Sequence, residues 1–372
     1  MTGRYSFEVA TPADDAALRA FLRECYMEGA IHLSFRREPS FFVAERVGAR
    51  SSQAIVVRDT HTRQVVGLGS RSIRRVYVNG EARDIGYLGG LRSHPSVRGR
   101  TLLARGYRFL KELHQDGQAP YYLTTIMEDN ENARRILESG RGGLPTYRYI
   151  GRLATFVVPL GLRKGGPGSR DVLVTQASPD VLKDTVAFIN RHNRARQFAP
   201  HYEEEDFQDS GVLPGMTVDN VYVAWQGENI VGVVGVWDQR RFKQTVVMGY
   251  EGALRWLRPV VNIVTRVKGF GPLPKPGSPI DFFYVGFVAI DPPNSAVLSS
   301  LLDHVSCEAP VEGCSHFLIG LSADDPMQEV LHKYHPRTLF SRIYIVHWED
   351  EDDGACVCAP GQRMCHLEIA TL

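Results

Sequence analysis

The sequence predicts an α+β protein whose sheets mix parallel and antiparallel strands, arranged as two similar halves. Three observations carry that prediction. The 372 residues are enough for two domains of ordinary size, each with its own core. Strand-like runs alternate with helical runs along the whole chain, and Asn79-Gly80 is a strong hairpin signal. The same opening is used twice, a short β run followed by a helix start, at Thr11-Pro12 and again at Ser178-Pro179. In both, a hydroxyl residue stands at the N-cap and a proline at the first helical position, which suggests an internal duplication.

In the first half the pattern predicts strands at Ser6–Ala10, Ala54–Arg58, Val65–Ile73, Val76–Val78 and Asp84–Leu91. A helix is expected over about Arg98–Gln115, a strand over Tyr121–Ile126, a helix over about Asn130–Ser139, and strands at Tyr147–Leu153 and Thr155–Leu160. The boundary falls at Arg163-Lys-Gly-Gly-Pro-Gly-Ser-Arg170, whose glycines and proline read as a linker. The expected domains are therefore residues 1–162 and 171–372, joined by 163–170. The second half repeats the order with strands at Val172–Gln176, Asn220–Trp225, Ile230–Trp237 and Phe282–Ile290. A helix over about Ala296–Ala309, a strand at Phe317–Leu321, a short helix from Met327 and a strand at Ser341–Trp348 follow. Gly249–Pro259 reads as an amphipathic helix with Trp256 and Leu257 turned inward, Lys268–Pro279 as a proline-rich loop, Glu349–Asp353 as a solvated turn, and Cys365–Leu372 as a final strand.

Composition excludes several classes. With 43% hydrophobic and 23% charged residues the chain is neither disordered nor fibrous. No apolar run approaches the roughly 20 residues needed to cross a bilayer, and the N-terminus lacks the pattern of a secretory signal. A soluble, cytoplasmic protein without a membrane partner is expected. The net charge of +1 hides an asymmetry: residues 1–162 carry +8, mostly from arginine, and residues 171–372 carry −10. The first half is thus suited to a polyanionic ligand. Nucleic acid is not the expected partner, because the arginines are dispersed and no recognised nucleic-acid module is present. Six cysteines are too few for a disulfide scaffold. Cys356, Cys358, Cys365 and His366 lack standard zinc spacing, so no metal is expected.

The most informative segment is Leu91-Arg-Ser-His-Pro-Ser-Val-Arg-Gly-Arg-Thr-Leu-Leu103. A strand ends, a tight Arg98-Gly99-Arg100 turn follows, and a helix opens. Unpaired amides and the positive dipole end of such a helix suit a pyrophosphate, and Arg92, Arg98 and Arg100 add positive charge.

This segment resembles the acyl-CoA motif of the GNAT superfamily of N-acyltransferases, R/Q-x-x-G-x-G/A. Asn130-Glu-Asn-Ala133-x-x-Ile136-Leu-Glu138-Ser-Gly140 resembles the family's second cofactor motif. The resemblance implies tandem GNAT-like acyl-CoA N-acyltransferase domains, the first with the cofactor motif and the second degenerate, as in mycothiol synthase-like and N-myristoyltransferase-like proteins. It implies acetyl-CoA or another acyl-CoA as co-substrate, held by Leu91, Arg92, Ser93, Arg98, Gly99, Arg100, Thr101, Leu102, Leu103, Asn130 and Ala133. The acceptor would be the amine of a small molecule or peptide, and acetyl is the expected acyl group. Two positions depart from the family pattern. Thr101 and Leu103 replace small residues, and Leu137 stands where a tyrosine often protonates the leaving thiolate.

Direct attack of an amine on a thioester needs a proton acceptor, an oxyanion donor and a donor to the thiolate. Glu128, His94 and Tyr147 are candidate acid/base groups, with Tyr87 and Tyr149 beside them. The resemblance to N-myristoyltransferases adds the Leu372 carboxylate, or Glu368, as a base. The alternative reading is a non-catalytic protein that binds acyl-CoA or docks an acyl carrier protein.

Overall fold

Local chemistry sets the element boundaries. The N–H of Thr11 donates to Asp14 Oδ2 at 2.8 Å, which starts a helical turn at Pro12 that continues as α1, Asp15–Glu24. Asn79 and Gly80 both take positive φ, 54° and 87°, the conformation a two-residue hairpin demands. The computed structural model describes residues 3–97, 101–160, 171–208, 211–267, 271–307, 311–348 and 363–372. The expected linker at 163–170, the turn residues Arg98, Gly99 and Arg100, the acidic run at 349–353, and Cys356 and Cys358 lie outside those residues.

The first half contains β1 (Tyr5–Val9), α1, β2 (Ile31–Arg36), α2 (Phe41–Glu45), β3 (Ser51–Asp59), β4 (Val65–Val78), β5 (Glu81–Ser93), α3 (Leu102–His114), β6 (Tyr122–Met127), α4 (Glu131–Leu137) and β7 (Thr146–Pro159). The second contains β8 (Leu173–Gln176), α5 (Leu182–Arg194), β9 (Val221–Gln226), β10 (Asn229–Trp237), β11 (Gln244–Tyr250), α6 (Leu254–Val267), β12 (Phe282–Ile290), α7 (Ser295–Cys307), β13 (His316–Ser322), α8 (Gln328–His332) and β14 (Arg337–His347).

One twelve-stranded mixed sheet runs through both halves, in the order β1-β3-β4-β5-β6-β14-β7-β13-β12-β10-β9-β8. The order is a palindrome of the repeat, because each strand of one half has its counterpart at the mirrored place. At the centre the halves exchange strands. β14 pairs with β6 on one side and β7 on the other, while β7 reaches across to β13. The pairs β5–β6 and β12–β13 are parallel, and their neighbours in the sheet are antiparallel. A separate two-stranded ribbon, β2–β11, also joins the halves.

The sheet is covered on both faces. In the first half Leu88, Tyr122, Ile126 and Tyr344 pack with Tyr107 and Leu110 of α3 and Leu137 of α4. On the other face Tyr87, Leu123, Ile343 and Ile345 pack with Phe198, Leu367 and Ile369 from the second half. The second half buries its own core beneath α7 and α8 and another beneath α5.

Several expectations are corrected. Val65–Ile73 and Val76–Val78 form one strand, as do Tyr147–Leu153 and Thr155–Leu160. The segment Gly249–Pro259 is not one helix, because β11 runs to Tyr250 and α6 begins at Leu254. Trp256 and Leu257 do not turn inward; they are 77% and 51% exposed. The polar side of α6 holds the helix instead, since Arg258 donates to the Pro274 carbonyl and Asn262 accepts the Leu273 N–H at 2.7 Å. The tail is not a strand. It makes one bridge, Gln197↔Cys365, and closes in a 3-10 turn at Ile369–Thr371. The ribbon strands β2 and β11 and the short α2 were not legible in the pattern. Among the described residues no helix is long and apolar enough to cross a membrane.

Candidate functional site

Both halves carry the same irregularity at the same place. In β5 the pairing with β4 shifts between Leu68 and Ser70, so that Gly90 and Leu91 bulge out, with Gly90 at φ 64°. In β12 the pairing with β10 shifts between Val233 and Gly235, so that Phe287 and Val288 bulge out, with Phe287 at φ 57°. A bulge re-aims the strand and frees backbone groups from the ladder.

Each bulged strand also parts from its parallel neighbour. β5 and β6 pair only at Gly86↔Tyr122 and Tyr87↔Leu123. The contact is close because Gly86 has no side chain; a Cβ there would stand 2.0 Å from the Tyr122 ring. Thr124 Oγ1 donates to the Leu88 carbonyl at 2.8 Å, and the Tyr87 and Thr125 hydroxyls lie 3.0 Å apart. These bonds mark where the strands separate. Beyond them β5 runs on through Gly89–Ser93, with Leu91 53% exposed. α3 then starts at Leu102.

The second parting is filled. β12 and β13 pair over Phe282–Val285 and His316–Ile319, and the chain's tail occupies the space beyond. Glu368 Oε2 accepts the Phe287 N–H at 2.8 Å, and Oε1 accepts the Ala370 N–H at 3.1 Å. A Cβ on Gly320 would stand 2.3 Å from Ile369.

A pocket opens on the tail-side face of the first parting. Arg74, Gly86, Tyr87, His201, Tyr202 and Glu368 are among its lining residues. Arg74 lies over the Tyr87 ring at 4.0 Å and donates to the Thr371 carbonyl at 2.8 Å. Burial raises the Glu368 pKa, against the lowering effect of its two amide bonds. Burial also lowers His201, which is neutral near pH 7. Among the described residues His201 Nδ1 and Tyr202 Oη are buried without a hydrogen-bond partner, an arrangement that points to a polar ligand or water. Lys243, next to the pocket, donates to the main-chain oxygen of Leu372 at 3.2 Å. Burial first, then the nearby Arg37 and Arg74, brings its pKa down to about 7.

The described residues expected to hold the cofactor lie at the end of β5 and at the starts of α3 and α4. Leu91 and Ser93 are exposed at the end of β5. Arg92 donates to the Cys25 carbonyl at 3.2 Å and lies over Phe35. Thr101 is exposed, Leu102 is buried with Tyr5 and Val57, and Leu103 packs under the sheet near Tyr107. Asn130 caps α4 by accepting the Ala133 N–H at 3.1 Å.

Of the acid/base candidates, Glu128 is held by Arg152 at 2.6 Å and faces Arg342 at 3.7 Å. His94 bonds Ser96 Oγ at 2.7 Å. Tyr147 is bonded to Tyr107, and burial lifts its pKa well above the ordinary tyrosine value. None of these three lines the pocket. Tyr87 does, as do Glu368 and Thr371 of the tail that ends at Leu372. Sequence reasoning missed Arg74 and His201. The arginines Arg71, Arg74 and Arg75 inside a buried strand were the available signal for the first. His201 lies in an irregular segment with no periodic pattern to read.

No family model matches the chain, and no curated protein matches it in sequence. Solved structures match its fold. One is Saccharomyces cerevisiae N-myristoyltransferase with bound myristoyl-CoA, 11% identical, with a TM-score of 0.60 over 95% of this chain and 87% of that one. Another is a GCN5-related N-acetyltransferase from Sphaerobacter thermophilus, 13% identical, with a TM-score of 0.52 over 93% and 96%. A fungal multi-domain β-N-acetylglucosaminidase with a GCN5-related glucosamine N-acetyltransferase region matches at 13% identity and a TM-score of 0.60; the alignment covers 92% of this chain but only 38% of that one. The chain therefore has a GNAT-type fold, with two GNAT-like halves.

Proposed function

We propose that this chain is an acyl-CoA-dependent N-acyltransferase that works at the first parting and takes its amine acceptor in the adjoining pocket. One observation carries the reading. At the second bulge the Phe287 N–H binds a carboxylate oxygen, that of Glu368, at 2.8 Å. The first bulge has the same backbone geometry, and its equivalent donor is Gly90 N–H. Such a donor, fixed before reaction, suits the negative oxygen that develops when a thioester carbonyl is attacked.

The fit extends to the rest of the donor set. α3, which begins at Leu102 after β5 ends at Ser93, presents a helix N-terminus suited to a pyrophosphate. In the reaction the acceptor nitrogen forms a bond to the acyl carbon, the C–S bond breaks, and the nitrogen loses a proton. His201 is neutral and its Nδ1 has no partner among the described residues, so it is the group assigned to take that proton. Glu368 is an anchor, since both its oxygens are already engaged.

A second reading, acyl-CoA binding without turnover, is favoured by Leu137. Its buried alkyl side chain offers no proton to a leaving thiolate. The two readings separate in one experiment. Calorimetry with CoA, acetyl-CoA and myristoyl-CoA tests binding, and release of free thiol in the presence of an amine panel tests turnover. Amine-dependent thiol release that falls 100-fold or more in His201→Ala supports the enzyme. Binding without thiol release supports the second reading, and no binding of any of the three overturns both.

A further inference from the structure

We propose that α6 docks the protein onto an anionic lipid surface. This rests on α6 alone and does not depend on the acyltransferase reading. Along the helix, Trp256, Leu257, Val260, Ile263 and Val264 recur at the spacing of one helical face, and each is at least half exposed, up to 77% for Trp256. An amphipathic helix normally buries its apolar stripe, and this one is inverted. Its polar side meets the protein, where Asn262 accepts the Leu273 N–H and Arg258 donates to the Pro274 carbonyl. The apolar stripe is turned to solvent, and contiguous exposed apolar surface marks an interaction site.

Charge identifies the occupant. Arg255 is exposed beside Trp256, over whose ring it lies, and the sequence of α6 contains no acidic residue, although the half that carries it has a net charge of −10. A continuous apolar stripe led by a tryptophan, with an exposed arginine beside it and no carboxylate, is the composition of a helix that lies in the headgroup region of a bilayer. At 14 residues the helix is too short to span one.

The test uses the full chain with vesicles of phosphatidylcholine alone and of phosphatidylcholine with phosphatidylglycerol at 3:1. The protein should co-sediment with the anionic vesicles, at least tenfold more weakly with the neutral ones, and less well at high salt. The double variant Val260→Glu, Ile263→Glu should lose at least tenfold in vesicle binding with an unchanged melting temperature, because both side chains are more than half exposed. The proposal is overturned if the wild type stays in solution with both vesicle types, or if the variant binds as well as the wild type. It is equally overturned if light scattering shows a dimer that the double substitution dissociates, which would make this face a subunit interface.

Discussion

Glu368 reaches from the end of the chain to the bulge of β12, where its carboxylate takes the Phe287 N–H at 2.8 Å. The corresponding donor of the first half, Gly90, lies in a strand end that is exposed rather than covered. Two copies of one backbone device have therefore been put to different uses. One is closed by the chain's own tail, and closure places Thr371 and Leu372 beside Arg74 and Lys243 at the edge of the first pocket. The second half thus holds the tail in register for the half that keeps its parting open.

Glu368→Ala should test that anchoring. The Phe287 and Ala370 amides would both lose their acceptor, and a buried donor left unmatched costs about 1–3 kcal/mol. A lower urea midpoint with an unchanged slope is expected. An unchanged midpoint would show that water replaces the carboxylate at no cost.

The pH dependence of the same residue has a defined sign. Burial raises its pKa above the ordinary 4.5, so the folded state disfavours the ionised form. The stability this provides is complete below the unfolded pKa and is lost as pH rises through the folded one. Glu368→Gln removes the titration. The wild type should therefore lose stability relative to the variant as melting curves are taken from pH 4.5 to 8. A constant difference across that range would contradict the shift.

Acid should destabilise the fold through histidines. Burial lowers His192 and His316 to about 4, and lowers His201 and His366 as well. These groups are protonated more readily in the unfolded chain, so stability is full above the unfolded pKa of about 6.5 and falls with pH toward the folded values. The expected result is a melting temperature that drops steadily from pH 6.5 to 4, less steeply in His366→Gln. Equal slopes in the two proteins would remove His366 from the account.

How much of this was legible in the sequence depends on where each signal resides. The hairpin at Asn79-Gly80 and the doubled Pro-containing helix starts were readable because their residues have local conformational preferences. The exchange of β7 and β14 was not. Both strands carry the ordinary apolar pattern, and nothing local states which neighbour a strand will choose. Trp256 and Leu257 were placed inward by the rule that apolar residues are buried, a rule that α6 inverts. The tail was read as a strand from its apolar content, but a side-chain carboxylate on two backbone amides took the place of a ladder. His94, Glu128 and Tyr147 have the chemistry for acid/base work, and the partners that engage them, Ser96, Arg152 and Tyr107, lie in contacts that no local pattern states.

Two glycines of β5 separate stability from chemistry. At Gly86 an added methyl would collide with Tyr122, 2.0 Å away, and Tyr122 is itself fixed through Arg71 Nε and His114 Nδ1 at 2.9 Å each. Gly86→Ala should therefore overpack the junction of β5 and β6 and destabilise by about 1–3 kcal/mol. At Gly90 there is room, since the nearest atom, Ser70 Oγ, is 3.5 Å from the added Cβ, but φ is 64°. An L-residue there costs about 1–2 kcal/mol unless the bulge rearranges. If Gly90 N–H is the oxyanion donor, relaxation of the bulge moves it. Gly90→Ala should then lower kcat at least tenfold while acyl-CoA binding by calorimetry stays within a factor of three. A Gly90→Ala protein with wild-type kcat would remove this amide from the reaction, and a loss of binding equal to the loss of kcat would assign the bulge to holding the cofactor.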